Sequence, residues 1–242
     1  MHIDLFLLTS CNKKEIEINS LGQLLDKHFD AVGIHNLDNC KSLLIREMMA
    51  DYEDSFAYNI IEIKMKKPDK YSYISSINNY MPIFPNNYGD IWTLKYKHYN
   101  ENTADTLKAL KKFYLYGCIS LFLDKQAGNK LEYLGKIKYG ERFYYKVKAD
   151  KSFIAYNLLF VNGSSYIFEI DAENFLITKV VNGDLTFYFN DYKEVDGIKY
   201  PSKVEIDNFG IKFLLKQVFY YKPNIEIPDS EFTGPNKSYT KK

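Results

Sequence analysis

Leu131-Glu132-Tyr133-Leu134-Gly135-Lys136-Ile137-Lys138-Tyr139, then Gly140-Glu141, then Arg142-Phe143-Tyr144-Tyr145-Lys146-Val147-Lys148, is the stretch that decides the fold. Leu131, Tyr133, Gly135, Ile137 and Tyr139 alternate with Glu132, Lys136 and Lys138. Phe143, Tyr145 and Val147 alternate with Arg142, Lys146 and Lys148. A period of two with one apolar and one charged face is the signature of a half-buried strand. Two such runs around a short Gly-containing connection read as a β-hairpin.

The same reading extends in both directions. Upstream, Ile61, Ile63 and Met65 alternate with Glu62, Lys64 and Lys66, and Tyr71, Tyr73 and Ser75 follow the Pro68-Asp69 turn. Downstream, Tyr166, Phe168 and Ile170 run into a turn at Asp171-Ala172-Glu173-Asn174. Leu185, Phe187 and Phe189 follow Gly183. Ile198, Tyr200, Val204 and Ile206 oppose Lys199, Lys203 and Glu205, and Ile211, Phe213, Leu215 and Phe219 close the series. Two segments have the helical period instead. In 20–33, Leu21, Leu24, Leu25, His28, Phe29 and Val32 share one face, with Ser20 to cap the start and Gly33 to end it. His28 on that face reads as a packed, hydrogen-bonded side chain. In 103–117, Leu107, Leu110, Tyr114 and Gly117 lie opposite Lys108, Lys111 and Lys112.

The expected fold is α+β and mainly β: an antiparallel meander with its two helices on the concave face. So many strands in one sheet must curl, because strand twist accumulates. Residues 20–235 read as one domain and 236–242 as a loose polar tail. The composition agrees, with 22 Tyr and 17 Phe against a single Trp in 242 residues. A net charge of +1 removes the electrostatic footprint of a nucleic-acid binder. No stretch reaches the ~20 apolar residues that span a bilayer.

Leu5-Phe6-Leu7-Leu8-Thr9-Ser10-Cys11 resembles the lipobox of bacterial lipoproteins. The resemblance implies that 1–10 is a signal peptide, that the Cys11 thiol carries the lipid, and that 11–19 is a tether. The segment before the apolar run, Met1-His2-Ile3-Asp4, lacks the usual basic residues. The alternative is a first strand of a cytosolic protein. Cys40 and Cys118 read as small buried hydrophobes, with a disulfide between them as the alternative.

An aromatic concave face is either a filled core or a hydrophobic cavity suited to an acyl chain. The residues expected to line it are Tyr145, Val147, Tyr166, Phe168, Phe187, Phe189, Val204, Ile206, Phe213 and Leu215. Each buried CH₂ contributes roughly 0.8 kcal/mol, so a long chain binds without specific polar contacts.

The order of these segments resembles the LolA/LolB-like lipoprotein carriers over most of 20–235. The helix comes first. Lys66-Lys67-Pro68-Asp69-Lys70-Tyr71-Ser72-Tyr73 is similar to the family's basic-Pro-x-x-aromatic segment. Asn86-Asn87-Tyr88-Gly89-Asp90-Ile91-Trp92 is similar to its Asp-Gly-x-x-Trp hairpin. Phe168-Glu169-Ile170-Asp171 with Leu176-Ile177 is similar to its strand-Asp-turn-strand. Asp191-Tyr192-Lys193-Glu194-Val195-Asp196-Gly197-Ile198-Lys199-Tyr200-Pro201 matches its Tyr-x-x-x-x-Gly-x-x-x-Pro stretch, and Phe232-Thr233-Gly234-Pro235 its closing Phe-x-x-Pro. The resemblance implies an unclosed β-barrel with a helical lid over a hydrophobic cavity. It places Lys67 where the carrier has a lid-latching Arg, and Lys lacks the planar fork of Arg.

The function this implies is a membrane-tethered, non-enzymatic binder or carrier of lipid or lipoprotein acyl chains in the cell envelope, on the outer membrane facing the periplasm. The alternative is a protein-binding envelope module, a stress sensor or assembly factor, with a filled interior. A hydrolase has less support. His28, His35 and His98 have no metal-type spacing, Glu132, Glu141 and Asp171 read as solvated-face or turn carboxylates, and no nucleophile elbow or phosphate loop is present. No cofactor, no metal and no nucleic-acid partner are expected.

Overall fold

The fold was obtained as a computed structural model, which describes residues 17–50, 58–67, 70–78, 91–99, 119–150, 165–232 and 237–241. The helical segment expected at 103–117, the Asn86–Asp90 turn, Cys118 and the lipobox around Cys11 lie outside the described residues.

The described strands form one antiparallel sheet of twelve. They are β1 (Ser42–Ala50), β2 (Tyr58–Lys66), β3 (Lys70–Asn78), β4 (Ile91–Tyr99), β5 (Leu131–Tyr139), β6 (Arg142–Ala149), β7 (Tyr166–Asp171), β8 (Ile177–Asn182), β9 (Leu185–Val195), β10 (Ile198–Asn208), β11 (Ile211–Pro223) and β12 (Lys237–Lys241). Their order is β12-β4-β3-β2-β1-β11-β10-β9-β8-β7-β6-β5, so two meanders, β1–β4 and β5–β11, meet where β1 pairs with β11. The sheet is curved and unclosed, with β12 and β5 at its edges.

β11 explains much of the curvature. Its first half pairs with β10 (Asn208↔Ile211 to Lys203↔Gln217) and its second half with β1 (Met49↔Lys216 to Leu43↔Pro223). Both ladders shift register on β11, leaving Leu215 and then Phe219 as extra residues. Each bulge bends its strand and adds twist. β10 pairs with β11 only from Lys203 onwards, so Pro201, which has no N–H to donate, stands where β9 is its strand neighbour.

Among the described residues three helices cover the concave face: α1 (Leu21–Val32), α2 (Ile34–Asn39) and α3 (Ser120–Gln126). α1 forms as its sequence dictates. The Ser20 hydroxyl accepts from the Gln23 N–H, Leu24, Leu25, His28, Phe29 and Val32 are buried, and Gly33 ends the helix at φ 74°. Phe29 meets Phe122 of α3 edge-on, with ring centroids 5.3 Å apart. These side chains join Ile45, Ile63, Tyr145, Phe168, Ile177, Phe187 and Val204 in one hydrophobic cluster.

The tail differs from the sequence reading. Lys237–Lys241, expected to be loose, is β12 and pairs with Trp92–Tyr96 of β4. A strand of alternating Lys, Ser, Tyr and Thr has no apolar run to betray it. Before it, the segment from Asn224 crosses the outer side of β2 and β3 and ends in a turn of 3-10 helix, Asp229–Phe232. Lys66 donates to Asp229 and to the Ile227 carbonyl, Lys70 to Asp229 and Lys64 to Glu231, while Phe232 is wholly buried.

Candidate functional site

The site begins with the strand pattern. Directly paired residues share a face of the sheet. Val147↔Phe168↔Val180↔Phe187↔Ile206 therefore form one row across five strands of the concave face. Tyr145↔Ile170↔Ile177 and Phe189↔Val204 form the next. Tyr166 lies opposite Ala149 at the start of β7. Phe213 stands opposite Ile206, and Leu215 is the extra residue of the bulge; their side chains lie outside the described residues.

Tyr145, Val147, Tyr166, Phe168, Phe187, Phe189, Val204 and Ile206 are between 0% and 3% exposed. Little of these eight side chains is therefore open to water.

The cover is fixed by hydrogen bonds to two turns at one end of the sheet. Nδ1 of the buried His28 donates to the Phe175 carbonyl at 2.8 Å. Phe175 takes a positive φ of 59°, which folds the β7–β8 turn over the concave face and stacks its ring on Tyr145 at 6.1 Å. Asn36 Nδ2 of α2 donates to the Gly197 carbonyl in the β9–β10 turn at 3.0 Å. Between these turns the α1 face is apolar. Tyr133 Oη of β5 also reaches the Ile18 carbonyl, 3.4 Å away, just before α1.

Lys67 follows β2 and donates its backbone N–H to Lys41. Its ammonium acts on Cys40, which is buried and unpaired and donates to the Ser42 carbonyl. Burial pushes the Cys40 thiol pKa up; the backbone bonds and Lys67 oppose it, and Asp196 adds to it. Lys67 thus lies close to the end of the sheet where α2 docks.

Three features were missed from the sequence. Glu47 of β1 is fully buried in the core row, opposite Ile61 on one side and Val218 on the other. Glu169, 4% exposed on the outer face, meets Lys146 and Lys179 at 3.4 Å each and the Tyr139 hydroxyl at 3.4 Å. The third is the face of Lys136 and Lys138. The alternation puts them with the solvated residues, but Leu134 and Gly135 together oppose the single residue Lys146. Beyond that bulge Lys136 pairs with Tyr145 and Lys138 with Phe143, on the concave side. Among the described residues no group of three His, Cys, Asp or Glu side chains is placed to hold a metal, and no helix is long and apolar enough to cross a membrane.

Three of the solved structures that the chain resembles are of low identity to it. A DUF1329 family protein from Desulfovibrio piger is 10% identical over 87% of this chain and 97% of that one, with a TM-score of 0.48. A domain named for outer membrane lipoprotein sorting, from Vibrio parahaemolyticus, is 13% identical over 86% and 97%, with a TM-score of 0.46. A LolA superfamily protein from Nitrosomonas europaea is 10% identical over 90% and 99%, also with a TM-score of 0.46. No family model matches the chain, and no curated protein matches it.

Proposed function

We propose that the protein is a non-enzymatic binder of acyl chains in the bacterial envelope, tethered to the membrane by a lipid on Cys11, with the concave face as its binding surface and α1–α3 as a displaceable cover. The observation behind this is the character of the interface between cover and sheet. It is apolar along α1 and tied by hydrogen bonds to turns at one end. A hydrocarbon tail can therefore replace the helical side chains with like-for-like burial.

The magnitudes permit the exchange. Leu24, Leu25, Phe29 and Val32 contribute about 1.5–3 kcal/mol each by leaving water. A sixteen-carbon chain, at roughly 0.8 kcal/mol per CH₂, offsets that whole face. Lys67, near the docking end of α2, is the latch candidate in this reading. The test is a fluorescent fatty-acid probe added to the purified chain. Saturable binding, reversed by unlabelled fatty acid, is expected; no binding would remove the acyl reading. In cells, Cys11→Ala is expected to release the chain from membranes, and retention there would remove the tether.

A second reading follows from the near-zero exposure of the eight wall side chains. If the cover never leaves, the interior is a fixed core and the fold serves as a protein-binding envelope module. Phe209 and Ile211, 77% and 70% exposed at the β10–β11 turn, are then its natural contact. Probe binding decides between the two.

A further inference from the structure

We infer that the uncovered end of the concave face, on the β5–β6 hairpin, holds the anionic head of the acyl ligand, a carboxylate or phosphate, through Lys136 and Lys138. This rests on the acyl-binding reading and adds to it the class of ligand.

The bulge at Leu134-Gly135 carries the inference. Gly135 adopts φ 99°, a conformation that side chains rarely tolerate, and the extra residue reverses which face the rest of β5 presents. Without it, Lys136 and Lys138 would join Lys146 and Lys148 on the outer face. There Glu169 already meets Lys146 and Lys179. With it, the Lys136 ammonium lies 4.3 Å from the Phe143 ring centroid and 5.8 Å from that of Tyr145, and the Lys138 ammonium 5.3 Å from Phe143.

An apolar row thus leaves the core through Val147 and Tyr145 and reaches Phe143, 39% exposed, beneath two exposed ammonium groups. The hairpin's own carboxylate at this end is Glu141, in the turn. A greasy row closed by two cations matches an amphiphile with a hydrocarbon tail and a negative head. β5 is an edge strand, so such a ligand reaches the row without passing another strand.

The test is competition against the fluorescent acyl probe by laurate, by dodecanol and by inorganic phosphate. It uses the wild type, Lys136→Gln/Lys138→Gln and Lys136→Arg/Lys138→Arg. Exposed charge pairs each contribute modestly, so laurate is expected to compete roughly tenfold better than dodecanol at low salt, with the preference shrinking as salt rises. The Gln variant is expected to lose the preference while still binding dodecanol, and the Arg variant to keep it. Phosphate alone is expected to displace nothing. Equal competition by laurate and dodecanol in the wild type, or an unchanged preference in the Gln variant, overturns the head site and leaves acyl binding standing. Displacement by phosphate alone overturns it too, in favour of an anion site independent of a chain. Failure of both laurate and dodecanol removes the acyl reading together with this inference.

Discussion

The carbonyl oxygen of Gly197 occupies the space that a side chain on Gly33 would need: a Cβ built on Gly33 would lie 1.8 Å from it. The α1–α2 corner therefore rests on the backbone of the β9–β10 turn, and the neighbouring Asn36 bond to the same carbonyl fixes the contact. Gly33→Ala must both push this backbone away and hold an alanine at φ 74°. Gly183→Ala, at φ 57° with open space around it, carries the backbone cost alone. We expect Gly183→Ala to cost about 1–2 kcal/mol and Gly33→Ala clearly more, about 3 kcal/mol or above, in urea unfolding. Equal losses would mean that the corner is not seated on Gly197.

His28 gives a prediction of the opposite sign for binding. His28→Leu keeps the apolar volume but removes the bond to Phe175, leaving a carbonyl without that partner. The closed state should lose about 1–3 kcal/mol. Any ligand that must displace α1 then binds more tightly, because less of the protein is locked in the closed form. The variant should melt lower than the wild type yet bind the fatty-acid probe several-fold tighter. Lower stability with unchanged or weaker probe affinity would speak against a displaceable cover.

Phe168, fully buried in the central row, tests the core itself. Phe168→Ala should cost about 3–5 kcal/mol, through lost transfer free energy and the cavity left behind. Chemical denaturation measures it; a loss under about 1 kcal/mol would mean that the row is not packed as described.

The strap over β2 and β3 carries an acid-sensitive tie. Hydrogen bonds from Lys66 and then Lys70 hold the Asp229 carboxyl at about 2, below its ordinary 3.8. A depressed carboxylate contributes stability that is fully present above the ordinary value and lost as pH falls through the depressed one. The tie should therefore hold at neutral pH and weaken between about 3.8 and about 2. An NMR titration of Asp229 should give a midpoint near the lower value, and Asp229→Asn should lack this part of the acid dependence. A midpoint at the ordinary value would contradict the tie.

The legible parts of this fold are those where one face is wet. β9 and β10 follow a strict alternation through Leu185, Phe187, Phe189, Val204 and Ile206, and α1 has both its caps and its stripe in the sequence. Legibility fails where the periodic argument loses its premise. In β1 the adjacent Leu43, Leu44 and Ile45 are all buried, so neither face is wet there, and Glu47 interrupts the apolar row. α3 has only seven residues, too few to display a period. The bulge at Gly135 is one inserted residue, and periodicity alone cannot place it; it moved Lys136 and Lys138 from the expected solvated face to the concave one. Of the candidate site, the wall residues were readable as a row. Helices over that face were expected too; how much room they leave beneath was not readable, since burial in a core and burial against a ligand select the same side chains.

Native mass spectrometry of the purified chain after incubation with a long-chain fatty acid tests the central claim most directly. We predict a one-to-one adduct that survives in the Phe209→Ser/Ile211→Ser variant, because the chain lies on the concave face and not at the exposed tip. The bare mass alone, at fatty-acid concentrations that saturate an authentic carrier, would contradict the account and leave a closed β scaffold in its place.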